Sequence, residues 1–171
     1  MKRYLVLLCM LLALLGGCAR AEVVWETVDD GIVQPVSAAS EPMQIMFDVP
    51  EGAELVGLTE DWRAYRQPDG DYTITARTLA AADLDEAVCA VSGYSMDALR
   101  AVLRDQEGRC CFGWYVPETD GGRLCRAEIL SDHDYYYALV FDVREDAGTT
   151  YHSTEEQVFA SFGLISQENW T

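Results

Sequence analysis

The chain has 171 residues, 50% of them apolar, with 12 basic against 29 acidic side chains and a formal net charge of −17. That apolar share supports one domain of ordinary size with a real core. The charge repels nucleic acid and anionic lipid headgroups, which argues against both as partners of the folded part.

Residues 1–17 read as an export signal. Lys2 and Arg3 make a short positive start, and residues 4–15 are an unbroken apolar run. A run of that length is too short to cross a bilayer, which takes about 20 residues, and suits a signal core. Leu15-Gly16-Gly17-Cys18 then resembles the lipobox of bacterial lipoproteins, with Leu at −3, Gly at −2 and −1, and Cys at +1. The resemblance implies a diacylglyceryl thioether on Cys18, cleavage before it and acylation of the new amino group. Acyl chains such as palmitate would hold the mature chain on the outer side of the cell membrane, each buried CH₂ contributing ~0.8 kcal/mol. An ordinary secretory signal is the alternative, but Cys18-Ala19-Arg20-Ala21 makes a poor A-x-A site. After cleavage, ten arginines and no lysine face 29 acids, a formal charge of −19.

Residues 18–42 form the lipidated tether. Ser37-Ala38-Ala39-Ser40 between Pro35 and Pro42 is linker-like, whereas Val23-Val24-Trp25 and Ile32-Val33 are too apolar for a fully solvated arm. The arm is therefore expected to lie against the domain, as an added strand for example. The domain itself spans residues 43–165, with 166–171 as a tail.

Met43, Ile45, Phe47 and Val49 alternate and predict a half-buried strand that stops at Pro50-Glu51-Gly52. A hairpin follows: residues 62–67 lead into Pro68-Asp69-Gly70, and residues 71–79 return with Tyr72, Ile74 and Ala76 on one face. The Asp-Gly pair supplies the positive φ that a tight turn needs. Asp83 and Glu86 form a capping box for a helix with Leu84, Ala87, Val88 and Val91 inward, ending at Gly93. Ser95 opens a second expected helix carrying Leu99, Val102 and Leu103 and closed by Gly108. Three strands come next, over residues 109–117, 123–130 and 135–143. Ser153 and Glu156 read as the capping box of a last helix with Val158, Phe159 and Phe162 as its apolar stripe.

This order predicts an α+β fold, an antiparallel sheet of about five to seven strands flanked by helices. Val49-Pro50, the helix start Asp83-Leu84-Asp85-Glu86, the three-strand meander and Phe159-Ala160-Ser161-Phe162 together resemble the PsbP/Mog1-like sandwich. The resemblance implies an α/β/α architecture over the domain. It implies no site residues, because that class has no common active site.

Cys9 leaves with the signal and Cys18 takes lipid. Cys89, Cys110, Cys111 and Cys125 remain as candidates for a structural disulfide, with the pairing open. Adjacent Cys110 and Cys111 point to opposite faces of a strand, and Cys89 is placed on the inward side of its helix. With no C-x-x-C, redox catalysis is unsupported, and a zinc site fails on spacing. Asp132-His133-Asp134 reads as a polar hairpin tip, and His152 as part of the last helix's start. No G-x-S-x-G, H-E-x-x-H, phosphate loop or calcium loop is present. Tyr135, Tyr136 and Tyr137 are a candidate binding face, with core packing as the plainer reading. No cofactor is implied and no metal site is assigned. The expected function is a membrane-anchored, non-catalytic binding or assembly module acting on an envelope protein. The alternatives are an envelope hydrolase with a dispersed site and a divalent-cation binder.

Overall fold

Strand β8 (Tyr136–Arg144) is the spine of the domain, and its alternation explains the layers on either side. Tyr137, Leu139, Phe141 and Val143 point one way and are at most 5% exposed, while Ala138 and Val140 point the other way into a second cluster. A central antiparallel strand can bury both faces only when each is covered, so two layers of packing follow from this one strand.

The computed structural model describes residues 41–99, 102–104, 108–119, 121–132 and 134–166. Cys18, most of the arm, His133 and the tail lie outside the described residues. Seven strands form one antiparallel sheet in the order β2-β3-β4-β8-β7-β6-β5. They are β2 (Glu54–Leu58), β3 (Trp62–Arg66), β4 (Tyr72–Leu79), β5 (Val102–Arg104), β6 (Cys110–Val116), β7 (Arg123–Ser131) and β8. Helix α1 (Leu84–Ser92) covers one face. Helix α2 (Gly148–Ala160) and a two-stranded ribbon of β1 (Gln44–Met46) with β9 (Gly163–Ile165) cover the other.

The β3–β4 hairpin forms as its pattern predicts. Tyr72, Ile74 and Ala76 are buried, and Gly70 turns the chain with φ 78°. The capping box of α1 is also realised: Asp83 Oδ1 accepts from Glu86 N at 2.9 Å, and Glu86 Oε2 accepts from Ala82 N at 2.8 Å. The first bond satisfies an amide that the helix leaves open at its first turn, and the second ties down the residue before the cap. Ala87 and Val88 are fully buried, and Leu84 and Val91 pack beside them.

The ribbon and its flanking residues are tied to the sheet and to the end of α2 by side chains. Tyr137 Oη accepts from Met43 N at 2.8 Å, Asp48 N donates to Ser161 Oγ at 2.8 Å, and Arg63 Nη2 donates to Ile45 O at 2.5 Å. Arg63 also lies over the Phe47 ring, 5.2 Å from its centroid.

Three expectations change. The second helix is a short 3-10 turn (Met96–Ala98) followed by strand β5. Met96 N donates to Asp85 Oδ1 at 2.7 Å, which pins the turn to α1, and Val102 then pairs with Phe112 at the sheet edge. The capping box at Ser153 and Glu156 does not form. Helix α2 starts at Gly148, straight from a 3-10 turn (Glu145–Ala147) at the end of β8, so Ser153 lies inside it. Cys89 is exposed, one residue and so about 100° around the helix from buried Val88.

Candidate functional site

A groove of about 870 Å³ lies beside the ribbon. It is lined by residues 41–45, by residues 58–63 across the β2–β3 turn, and by Ala76 and Thr78 of β4. The turn holds its shape through Thr59 N donating to Trp62 O at 2.7 Å and Thr59 Oγ1 donating to Asp61 Oδ1 at 2.8 Å. Gly57 is required here: a Cβ on it would fall 2.1 Å from the Trp62 ring, so any side chain displaces the indole. Arg63 contributes a buried Nε, the one side-chain polar atom of that kind without a hydrogen-bond partner among the described residues.

A second cleft of about 490 Å³ lies between the β7–β8 end of the sheet and α2, with Leu124, Arg126, Val143, Glu145, Gly148, Thr149, His152 and Glu155 around it. Histidine and carboxylates in one cleft are what a hydrolase needs, so the geometry decides. His152 is 66% exposed and sits 3.7 Å from Glu155, which also faces Arg126 at 3.8 Å. Tyr115 Oη donates to Glu145 at 3.0 Å. Among the described residues no hydroxyl or thiol is hydrogen-bonded to His152, so a nucleophile–base pair is not assembled. Cys125 contributes to the lining, but strand alternation sends its side chain to the opposite face from Leu124 and Arg126. Burial pushes its thiol up to about 12, which keeps it protonated.

Cys89, Cys111 and Cys125 carry free thiols. Cys110 and Cys111 do point to opposite faces: Cys110 is buried in the cluster under α1, and Cys111 pairs with Glu128 on the other side. Burial, and then the Glu128 charge, push the Cys111 thiol up to about 11.

The tyrosine triplet is divided between the layers. Tyr137 is fully buried, with its hydroxyl donating to Asp132 Oδ2 at 2.5 Å, and burial followed by that bond raises its pKa. Tyr135 packs half-buried on the same cluster, and Tyr136 packs half-buried under α1. The three rings are core and core margin, so a shared binding face at Tyr135, Tyr136 and Tyr137 is not what the strand presents. The reason is that β8 is central in the sheet. Asp132 accepts from Asp134 N at 2.8 Å and from Tyr135 N at 2.7 Å, a turn role. Among the described residues no three His, Cys, Asp or Glu side chains gather as a metal site.

The feature that sequence reading missed is a buried charge. Glu128 is 4% exposed and is held by Arg109 at 2.6 Å and Arg126 at 2.9 Å. Those guanidinium groups lie over Phe162 and Phe159, at 5.8 and 4.4 Å from the ring centroids. The signal was present: Arg126 and Glu128 are opposite charges two apart on one strand, hence on one face. This triad fastens α2 to the sheet.

No protein-family model matches the sequence, and no curated protein matches it. Solved structures do match in shape. A protein of Bacteroides thetaiotaomicron has a TM-score of 0.51 at 11% identity, over 73% of this chain and 46% of its own, so this chain spans about half of that protein. Cyanobacterial PsbP (CyanoP) of Synechocystis sp. PCC 6803 has a TM-score of 0.50 at 15% identity, over 79% of this chain and 98% of its own. LpqN, involved in cell envelope biogenesis of Mycobacterium tuberculosis, has a TM-score of 0.49 at 12% identity, over 77% and 88%. Identities this low speak for fold alone. The seven-stranded antiparallel sheet with its small second sheet and two helices is an α+β sandwich similar in fold to cyanobacterial PsbP.

Proposed function

We propose that this chain is an exported lipoprotein, anchored through Cys18 on the outer side of the cell membrane, whose sandwich serves as a non-catalytic binding module for an envelope protein. The observation that carries the reading is Leu15-Gly16-Gly17-Cys18 directly after a short apolar run with a basic start. Acyl chains at one residue give firm attachment, whereas a single chain binds only reversibly. The binding role is supported by the two open concavities and by the lack of a nucleophile–base pair among the described residues. The strong negative charge directs the module away from anionic headgroups and toward partners with basic surfaces.

Replacing the anchor tests this. Cys18→Ser is expected to abolish cleavage, palmitate incorporation and retention in the membrane fraction together. A Cys18→Ser protein that is still cleaved and still sediments with membranes would refute the anchor.

A further inference from the structure

Strand β2 is a poorly covered edge strand of the sheet. Its Leu55, Val56 and Leu58 are 51%, 50% and 67% exposed, and Leu58 also lines the large groove. An apolar strip therefore runs from a sheet edge into a concavity, and such strips on folded domains mark interaction sites. Glu41, Glu60 and Asp61 line the groove beside it, and Glu54 stands on the strand itself. None of these four is in an ion pair among the described residues, whereas Asp71, Glu128, Asp142, Asp146 and Glu155 each meet an arginine. The groove lining carries three acids against the single Arg63, whose guanidinium is turned to Ile45 O and the Phe47 ring, so the balance of charge there is negative.

We infer that the β2 edge and the adjoining groove form one docking surface for a basic, apolar segment of a partner protein. The inference deepens the binding-module reading and rests on it. Apolar side chains of the segment lie on Leu55 and Leu58, and its lysine or arginine heads reach Glu41, Glu60 and Asp61. Charge selects this occupant over two others. A second copy of the chain would bring the same four acids against themselves. The chain's own residues 19–40 carry Glu22, Glu26, Asp29 and Asp30 against the single Arg20. The β2–β3 register also steps by an extra residue between Leu55 and Gly57. That bulge interrupts the edge ladder, so continuous backbone pairing is discouraged and recognition falls to side chains.

The test is hydrogen–deuterium exchange on the full chain in non-ionic detergent micelles, with a short synthetic peptide of alternating valine and lysine. A control peptide carries glutamate in place of lysine. The lysine peptide should slow exchange in residues 54–63 and 41–45, and the glutamate peptide should not. Glu60→Arg with Asp61→Arg should weaken binding by about tenfold or more. Leu55→Ser with Leu58→Ser should weaken it similarly while leaving the melting temperature unchanged, since these side chains are exposed. Four results would overturn the inference. The lysine peptide fails to bind, or it protects the acidic surface indiscriminately and equally in the charge variant. The protein dimerises through β2 without peptide, or β2 is already protected and Trp25→Ala releases it. Because the readout is at β2 and not at the lipid, failure here is distinguishable from failure of the Cys18 anchor.

Discussion

Glu128 is the residue whose loss the fold should feel most. It is almost fully buried, and both carboxylate oxygens are engaged by guanidinium groups that also lie over Phe159 and Phe162. Removing one partner of a buried ion pair leaves the other charges desolvated without compensation. The side chains of Arg109 and Arg126 are 26% and 36% exposed, so water can recover part of that cost. Glu128→Ala should therefore destabilise by about 2–3 kcal/mol, below the full buried-pair range. In thermal unfolding that corresponds to a melting point lower by roughly 10 °C. An unchanged melting point would mean the triad is decoration. The thiols belong to the same scale: burial holds Cys111 and Cys125 predominantly protonated near neutral pH.

At the scale of elements, the β1–β9 ribbon has little core of its own and depends on its ties to the sheet. Tyr137 is the central tie, since one hydroxyl accepts from Met43 N and donates to Asp132. Tyr137→Phe keeps the ring but removes the acceptor of Met43 N and one of the donors to Asp132, and should cost about 1–2 kcal/mol. Amide exchange in residues 43–46 should quicken more than that in β8; a uniform change across both would contradict the tie. Buried faces explain which elements were legible in the sequence. Strand β4 and helix α1 each bury a definite face, so their periods of 2 and 3.6 are printed in the residues, β8 reads as a continuous apolar run because both its faces are covered, and the Asp83–Glu86 capping box marks a boundary directly. Strand β2 was illegible because it buries neither face, leaving no alternation to read, and β9 is only three residues long. The segment after Ser95 misled because Leu99, Val102 and Leu103 satisfy a helical spacing while Leu103 is in fact 71% exposed on a strand. Helix α2 was found by its apolar stripe and mis-started, because its first turn, Gly148-Thr149-Thr150, has neither cap nor good helix formers. The groove was not legible at all: residues 41–45 and 58–63 meet only through long-range packing.

On the scale of the whole molecule, a sandwich with both sheet faces covered leaves its edges as its available surface. Strand β5 ends one side and β2 the other, and β2 adjoins a groove lined by Glu41, Glu60 and Asp61. On the reading proposed above, the acidic domain is held at the membrane by its lipid and meets a partner there. The anchor is therefore the central claim, and mass spectrometry of the amino-terminal peptide from the protein made in a bacterial envelope tests it most directly. The account predicts a chain that begins at Cys18 and carries the mass of a diacylglyceryl thioether with an acylated amino group. A peptide that begins elsewhere, or one with an unmodified thiol at Cys18, would contradict it.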